Sequence, residues 1–517
     1  MKLQPQSVSF GRRVSDLASR HPENTAVVFV AQDGNEISIS WRQLDHESNR
    51  TARLLAAKGE EICGRVIVLG LPNCLEHFLV AIGAWKLGAC VLPLNSVMVA
   101  RERDQLLEIA KPALIVADWP GANEILVTRK ELHEVKMFSD ASLPDVIAVP
   151  GKAIASGGST GRPKIIVDPS PWAKYPGQWL DALGRNLGMR SGQTQLVAGP
   201  LYHNGPFTWS HMGLFEDHTL VVMERFEATR FLDLIERHRV NFGFLVPTMM
   251  QRVIRVPGVR ERDFSSVEGF WHAGAPCAPW LKRAWIQLIG CEKLHEMYGS
   301  TEAVGFTTIR GDDWLKHPGS VGRPYNCEMR ILDENCKEVA PGNVGEIFMR
   351  PAQGTGFAHQ YLGADPAKMA LDGFASVGDL GWLDENGYLF LADRRLDLIL
   401  SGGVNIYPAE IEGVLTECPG VADAAVIGVQ DEDWGKRVHA VVQLHRNAGN
   451  ISAADLDAHC RKQLTAYKVP KSYEFVAQLP RNEAGKLRRS DLVEERKQGW
   501  TSNMIRASRV PTTPRAT

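Results

Sequence analysis

Long apolar runs are missing from this chain of 517 residues. Stretches such as VIVLGL (66–71) fall far short of the roughly 20 residues that cross a bilayer, which excludes stable membrane insertion. The opening MKLQPQSVSFGRRVSDLASR has no apolar h-region, so no secretory signal is expected there. Charge of one sign is also missing. Lysine and arginine total 58 against 60 aspartate and glutamate, without the basic excess that a nucleic-acid or membrane-surface partner favours. The nine cysteines are odd in number and contain no C-x-x-C pair, which argues against a disulfide framework or a structural zinc site. Free thiols in a reducing, cytoplasmic setting are the expectation.

At this length one compact core cannot serve the whole chain, so two or more domains are expected. Residues 41–59 place Leu44, Ala52, Leu54 and Leu55 on one helical face, with Gly59 as the stop. RVIVLGL (65–71) reads as a buried strand, LEHFLVAIGAWKLGA (75–89) as a helix and CVLPL (90–94) as another strand. That succession predicts parallel βαβ units, and similar units follow to about residue 300. From 317 to 392 short strands alternate with Gly, Pro and Asn turns. A charged, glycine-containing stretch at 393–403 then leads to a mixed segment with strands VADAAVIGV and KRVHAVVQL and a helix in SAADLDAHCRKQL. The expected fold is α/β: a large N-terminal domain (1–394) of α/β subdomains plus a β-rich part, and a small α+β C-terminal domain (395–500). Residues 501–517, polar and Pro/Thr-containing, read as a disordered tail.

ASGGSTGRPK (155–164) concentrates anion-binding groups in ten residues. Strand-like KAIAS precedes it and strand-like KIIVD follows, and Pro163 separates Gly161 from Lys164. A Walker loop needs G-K-[ST] running into a helix, so this is not one. An anion here must be held by backbone N–H groups, the hydroxyls of Ser156, Ser159 and Thr160, and Lys164. From the loop alone, a surface hairpin turn fits as well as a phosphate site.

Three further stretches resolve that ambiguity: YGSTE (298–302), SVGDLGWLDENGYLFLADRRLDLILSGGVNIYPAEIE (376–412) and PRNEAGKLRR (480–489). In this order and spacing they resemble the adenylate-forming superfamily of acyl-CoA synthetases, adenylation domains and beetle luciferases. The resemblance runs from about Ser40 to Arg489. It implies two half-reactions: a carboxylate attacks the α-phosphorus of ATP to give an acyl-adenylate and pyrophosphate, then a thiol takes the acyl group and AMP leaves. Two anions meet in the first step, so cations and donors are needed where charge gathers.

Carried over position by position, the resemblance gives Ser159, Thr160, Gly161 and Lys164 the β- and γ-phosphates, with Ser156 adjacent. Glu302 matches the Mg2+ ligand, with Thr160 as a second metal contact, and a carboxylate suits a hard cation bridging phosphates. Tyr298 would lie on the adenine, with Gly299 and Ser300 beside it and Thr301 donating to the α-phosphate. The backbone of Gly274, Ala275 and Pro276 would line the adenine pocket. Asp379 matches the ribose carboxylate and Arg394 an arginine near ribose and phosphate. Lys486 matches the lysine that bridges substrate carboxylate and α-phosphate; read by itself it is one more cation in an exposed helix start, GKLRRSDLVEERK. Ser401, Gly402 and Gly403 would line the pantetheine path of coenzyme A once the small domain rotates, and Trp434 would contact CoA. His203, in PLYHNGP, matches a position beside the acyl carboxylate, where a structural histidine is the alternative.

Several positions depart from the family pattern. Gly157 stands where a serine is common, Ser159 for the first threonine, and Ile165 for a frequent glycine. Leu396 occupies the hinge position usually held by Asp or Lys. The candidate acyl-pocket segments 203–213, 242–250 and 303–306 are rich in Phe, Trp, Met and Gly, and 203–213 contains no carboxylate to pair an amino acid's ammonium. A bulky neutral acid is therefore expected: aryl, alicyclic, steroid-like or fatty. The readings left by the sequence are an acid–CoA ligase, an acyl-AMP ligase loading a separate carrier protein, and a non-catalytic nucleotide-binding protein. The assembly stays open between monomer and homodimer. Acetylation of Lys486 removes its charge and is expected to slow adenylation selectively. Equal pyrophosphate release by acetylated and unmodified protein would refute this.

Overall fold

The computed structural model describes residues 7–120, 125–157, 163–175, 179–352, 359–363, 369, 371–394, 397–401, 404–431, 435–482, 485, 487 and 489–499. Two sheets with helices between them carry most of that chain. In the first, of seven strands among the described residues, Val66–Gly70 lies between Cys90–Pro93 and Leu114–Ala117, all parallel. The helix Leu75–Lys86 links the first two, the predicted βαβ unit. Cys90–Pro93 pairs in parallel with Lys152–Gly157, which turns back antiparallel into Pro163–Asp168, and Gln360–Leu362 closes that edge.

The second sheet, of thirteen strands among the described residues, changes character along its width. Its parallel part runs through Thr25–Val30, Thr219–Met223, Thr194–Val197, Phe242–Leu245, Gly269–His272 and Leu294–Gly299. It continues antiparallel through Phe306–Arg310, Ser320–Tyr325, Leu389–Arg394, Ala375–Leu383, Gly345–Pro351 and Cys327–Leu332. The turn-rich texture read from 317 to 392 is this antiparallel half.

One core fills the space between the sheets. It takes Ile67 and Val91 from the first, Val197 and Val222 from the second, and Phe10, Trp41, Phe78, Trp85 and Phe207 from the helices. The helix Trp41–Lys58 starts in a capping box of Ser40 and Gln43 and, as its sequence predicts, stops at Gly59. It crosses Leu75–Lys86 so closely that a Cβ on Gly83 would lie 3.1 Å from the Ala52 nitrogen. At that crossing Lys86 is buried with its charge. Its Nζ donates to Asp45 Oδ1 (2.7 Å), Ser48 Oγ (2.8 Å) and Asn49 Oδ1 (2.7 Å). Burial pulls the Lys86 pKa down and Asp45 opposes it.

The small C-terminal part has its own core. The antiparallel pair Val421–Asp431 and Gly435–Leu444, extended in parallel by Ser472–Val476, packs Val426 and Val442 against Ile411 of Pro408–Glu417 and Leu456 of Ala453–Arg461. Leu492, from the helix Arg489–Gly499, covers the other face. The sequence suggested a solvated start for that helix. Instead Arg489 bonds Asp397 at 2.7 Å and Glu412 at 2.8 Å, because two carboxylates of the same domain converge on it. No helix among the described residues is long and apolar enough to cross a membrane.

Removing one partner of a buried ion pair leaves an uncompensated charge, at a cost of about 3–5 kcal/mol. Asp45→Ala is expected to destabilise the protein by about 3 kcal/mol, read from the urea midpoint. A loss under about 1 kcal/mol would mean that Lys86 discharges or hydrates without cost.

Candidate active site

The glycine-rich stretch links two strands that pair antiparallel. Ser156 stands opposite Lys164 and Gly157 opposite Pro163, while residues 158–162, with Ser159, Thr160 and Gly161, lie outside the described residues. Both flanking segments are strands, as their β-branched residues predicted. Lys164 reaches from this hairpin to the other sheet. Its Nζ lies 3.0 Å from Glu302 Oε1 and 4.0 Å from the centre of the Tyr361 ring. The Tyr361 hydroxyl donates to the same Oε1 at 2.8 Å. His359, two residues earlier, sets its ring 4.8 Å from that of Tyr361.

Glu302 follows the strand Leu294–Gly299 through a tight turn closed by the Ala303 N–H on the Ser300 carbonyl, 3.1 Å. Ala303 sits at φ 54°, a left-handed conformation that a non-glycine residue adopts only when its surroundings fix it. Burial pushes the Glu302 carboxyl up. Lys164 and the Tyr361 hydroxyl outweigh that effect, so the group is held below its ordinary value and is an anion at neutral pH. Burial and the Glu302 charge together push the Tyr361 phenol up, so it remains a donor. Within the same turn, Ser300 Oγ is buried with no partner among the described residues, the kind of atom a ligand satisfies. Thr301 is half-buried beside it and Gly299 is exposed.

Four residues before Glu302, the Tyr298 hydroxyl donates to Asp379 Oδ2 at 2.7 Å. Asp379 lies on Ala375–Leu383 with its Cα opposite that of Arg394, whose side chain is outside the described residues. Gly274, Ala275 and Pro276 form the turn between Gly269–His272 and Pro279–Ile289, with Gly274 at φ 87°. A Cβ on Gly274 would meet Val246, just before the helix Pro247–Ile254. His203 caps the helix Asn204–Phe215, its ring 4.3 Å from that of Tyr202. The buried Lys152 ties this helix to the hairpin strand through Asn204 Oδ1 (3.0 Å) and Thr208 Oγ1 (3.1 Å).

Candidates on the small domain are less complete. Ser401 ends a two-stranded hairpin opposite Val404. Gly402, Gly403, Trp434, Lys486 and the hinge residue Leu396 lie outside the described residues. Gly485, next to Lys486 in sequence, is packed on the large domain: an ideal Cβ there would fall 2.0 Å from Thr248 Oγ1.

The structure thus joins Lys164 to Glu302 and Tyr298 to Asp379, and leaves Ser401 in the small domain. Sequence reasoning missed Tyr361, His359 and Lys152. Tyr361 meets Glu302 across 59 positions, and HQYLG has no spacing that announces such a contact.

Residues 14–362 match the model of the AMP-binding enzyme family, and residues 410–486 that of the AMP-binding enzyme C-terminal domain. The chain belongs to the AMP-binding enzyme family. It is 30% identical to a fatty acid–[acyl-carrier-protein] ligase of Streptomyces coeruleorubidus over 94% of this chain and 96% of that protein. Among solved structures it is similar to the o-succinylbenzoate CoA synthetase of Bacillus subtilis in complex with its acyl-adenylate intermediate. There the identity is 27%, the TM-score 0.79, and the coverage 93% of this chain and 97% of that one. It is also similar to MatB of Rhodopseudomonas palustris at 26% identity. The TM-score is 0.79 for the ATP-bound form and 0.70 for the apo form, each covering 96% of this chain and 100% of that one. These members share this chain's mixed α/β plan of a large N-terminal and a small C-terminal domain.

For a protein of this family, Asp379 is expected to hold the nucleotide by accepting hydrogen bonds, and bonds to a charged group are worth about 1.5–3 kcal/mol each. Asp379→Ala should weaken AMP binding at least about tenfold in a calorimetric titration. Unchanged affinity would remove Asp379 from the nucleotide site.

Proposed function

We propose that this protein is an ATP-dependent acid–CoA ligase: it activates a bulky apolar carboxylic acid as an acyl-adenylate and transfers the acyl group to CoA, releasing AMP and pyrophosphate. The observation that carries this reading is the Lys164–Glu302–Tyr361 group at the end of the hairpin, four residues from the Tyr298–Asp379 pair. A fixed cation and a charged carboxylate, preorganised side by side, are what polyphosphate chemistry requires of a protein. Lys164, Ser156 and the loop residues Ser159, Thr160 and Gly161 would receive the phosphates. Tyr298, Asp379, Arg394 and the Gly274–Pro276 turn would receive the nucleoside.

The donor set fits Mg2+ carried by the nucleotide. No cluster of three or more His, Cys, Asp or Glu exists among the described residues, but Mg2+ keeps waters and takes substrate phosphate oxygens, needing one or two carboxylates. Glu302 would supply one and Thr160 a hydroxyl. Bound there, the ion would neutralise charge building on the phosphates. Lys164 then exchanges its carboxylate partner for phosphate oxygen, and Tyr361 continues to orient Glu302.

Lys486 would bridge the substrate carboxylate and the α-phosphate, and Gly485 on Thr248 seats the preceding residue against the large domain. Ser401, Gly402, Gly403 and Trp434 would serve the thiol in the second step. His203 would stand beside the acyl carboxylate. Phe244, Trp271 and Trp209 pack as a buried aromatic cluster beside the segments proposed for the acid, with ring centres 4.3 Å and 4.9 Å apart. A domain division at 394/395, a cytoplasmic setting and either a monomer or a homodimer accompany this reading.

A second reading, transfer to a carrier protein, is favoured by the likeness to the acyl-carrier-protein ligase. The decisive measurement is ATP-dependent pyrophosphate release with a panel of acids, with and without CoA. Sustained turnover only with CoA is expected, and Lys486→Ala should lower adenylation by about a hundredfold or more. A single burst unaffected by CoA would favour the carrier-protein acceptor. Unchanged adenylation in the variant would overturn the role of Lys486.

A further inference from the structure

We infer that Arg255 is a positioning residue for adenylation, a latch that holds the small domain where the Gly485 turn meets Thr248. This rests on the function proposed above. Arg255 immediately follows the helix Pro247–Ile254 of the large domain. Its Nη1 donates to the Ala422 carbonyl and its Nη2 to the Val421 carbonyl, each at 2.7 Å. Both acceptors are main-chain atoms at the start of the small domain's longest described strand, where the ladder register slips between Val421 and Asp423. A planar guanidinium can serve two adjacent carbonyls at once, which a lysine cannot do with the same geometry. Trp280 lies beneath it, 5.9 Å from ring centre to guanidinium.

The chain of contacts continues to the catalytic turn. Asp423, next after Ala422, accepts from Arg481 Nη2 at 2.9 Å. Arg481 Nη1 donates in turn to the Gly485 carbonyl at 3.0 Å, and the Arg481 backbone bridges that of Leu487. These bonds tie the latched strand to Gly485 and Leu487, the residues on either side of Lys486. Gly485, at φ 72°, rests on Thr248 with no room for a Cβ. Thr248 is the second residue of the eight-residue helix Pro247–Ile254 that Arg255 caps, so both ends of one short element touch the small domain.

Two further facts agree with this role. The structure superposes better on the ATP-bound form of MatB than on its apo form, 0.79 against 0.70. The latch is also made of hydrogen bonds to main-chain carbonyls rather than buried apolar area, so it can open and re-form without exposing a core. A domain that must leave after the first half-reaction needs that property.

The test separates the half-reactions in the full-length protein. Acid-dependent ATP–pyrophosphate exchange reads the first; discharge of a synthetic acyl-adenylate by CoA reads the second. Small-angle scattering without substrates reads docking directly. Arg255→Ala is expected to lower exchange by about tenfold or more, because small misplacements of a reacting group are costly. Discharge should stay within about twofold, the radius of gyration should rise, and Arg255→Lys should recover part of the exchange. Equal losses in both half-reactions, or unchanged exchange, would overturn the latch. If Arg255→Ala does not fold, Gly485→Ala, which drives a methyl into Thr248, carries the same test. Absence of exchange in the wild type with every acid would defeat the ligase reading itself. The latch would then stand or fall on scattering alone, and an unchanged radius in Arg255→Ala would reject it.

Discussion

The bond between Lys164 and Glu302 is one of the polar contacts that join the two sheets, beside the Tyr361 hydroxyl on Glu302 and Asn73 on the Gly199 and Met223 carbonyls. Lys164 belongs to a hairpin at one edge of the seven-stranded sheet, and Glu302 to a turn at the point where the thirteen-stranded sheet changes from parallel to antiparallel. Tyr361, from a short edge strand, fixes the pair on a third side. Much of the surrounding architecture bears on this junction. Parallel strands deliver their C-terminal ends to it, as open α/β sheets do for their ligands, and the antiparallel half brings Asp379 within reach of Tyr298. With no helix terminus behind the glycine-rich loop, the site depends on a lysine and a carboxylate held together before any ligand arrives.

Buried charge recurs away from the site, and the contrast is informative. Lys86 lies at a helix crossing with every donor engaged by its neighbours. Lys282 and Glu296 form another enclosed pair, with the ammonium 5.1 Å from the centre of the Trp314 ring. The partners of both lysines come from deep within the protein. Lys164 differs because its carboxylate partner, Glu302, remains partly exposed and can be claimed by another cation.

Much of the fold was legible because its signals are local. The glycine stop at Gly59 and the strand–helix–strand succession from 66 to 93 each lie within a few residues. The strands flanking the glycine-rich loop were legible for the same reason. The ordered motifs also pointed to Lys164, Glu302, Tyr298 and Asp379 as one nucleotide site. The structure then added the bonds between them, which no motif specifies. What stayed hidden depends on long-range geometry. Tyr361 looks like any strand tyrosine until its hydroxyl is seen on Glu302, and Arg255 looks like a solvated helix end until the carbonyls of 421 and 422 approach it. Arg489 likewise gives no local signal, since its two carboxylate partners lie 77 and 92 positions away.

The choice of acceptors for Arg255 has an evolutionary side. Its partners are backbone oxygens, so the side chains at 421 and 422 can drift without erasing the contact, provided the strand keeps its course. The opposite half has no such freedom, because only an arginine offers two parallel donors there. The Arg255 half of the interface is thus encoded in the larger domain, while the other half needs a residue without a Cβ at 485 in the smaller one. A small domain borrowed from a distant relative would bring the carbonyl acceptors ready-made, yet would seat fully only if it kept that glycine.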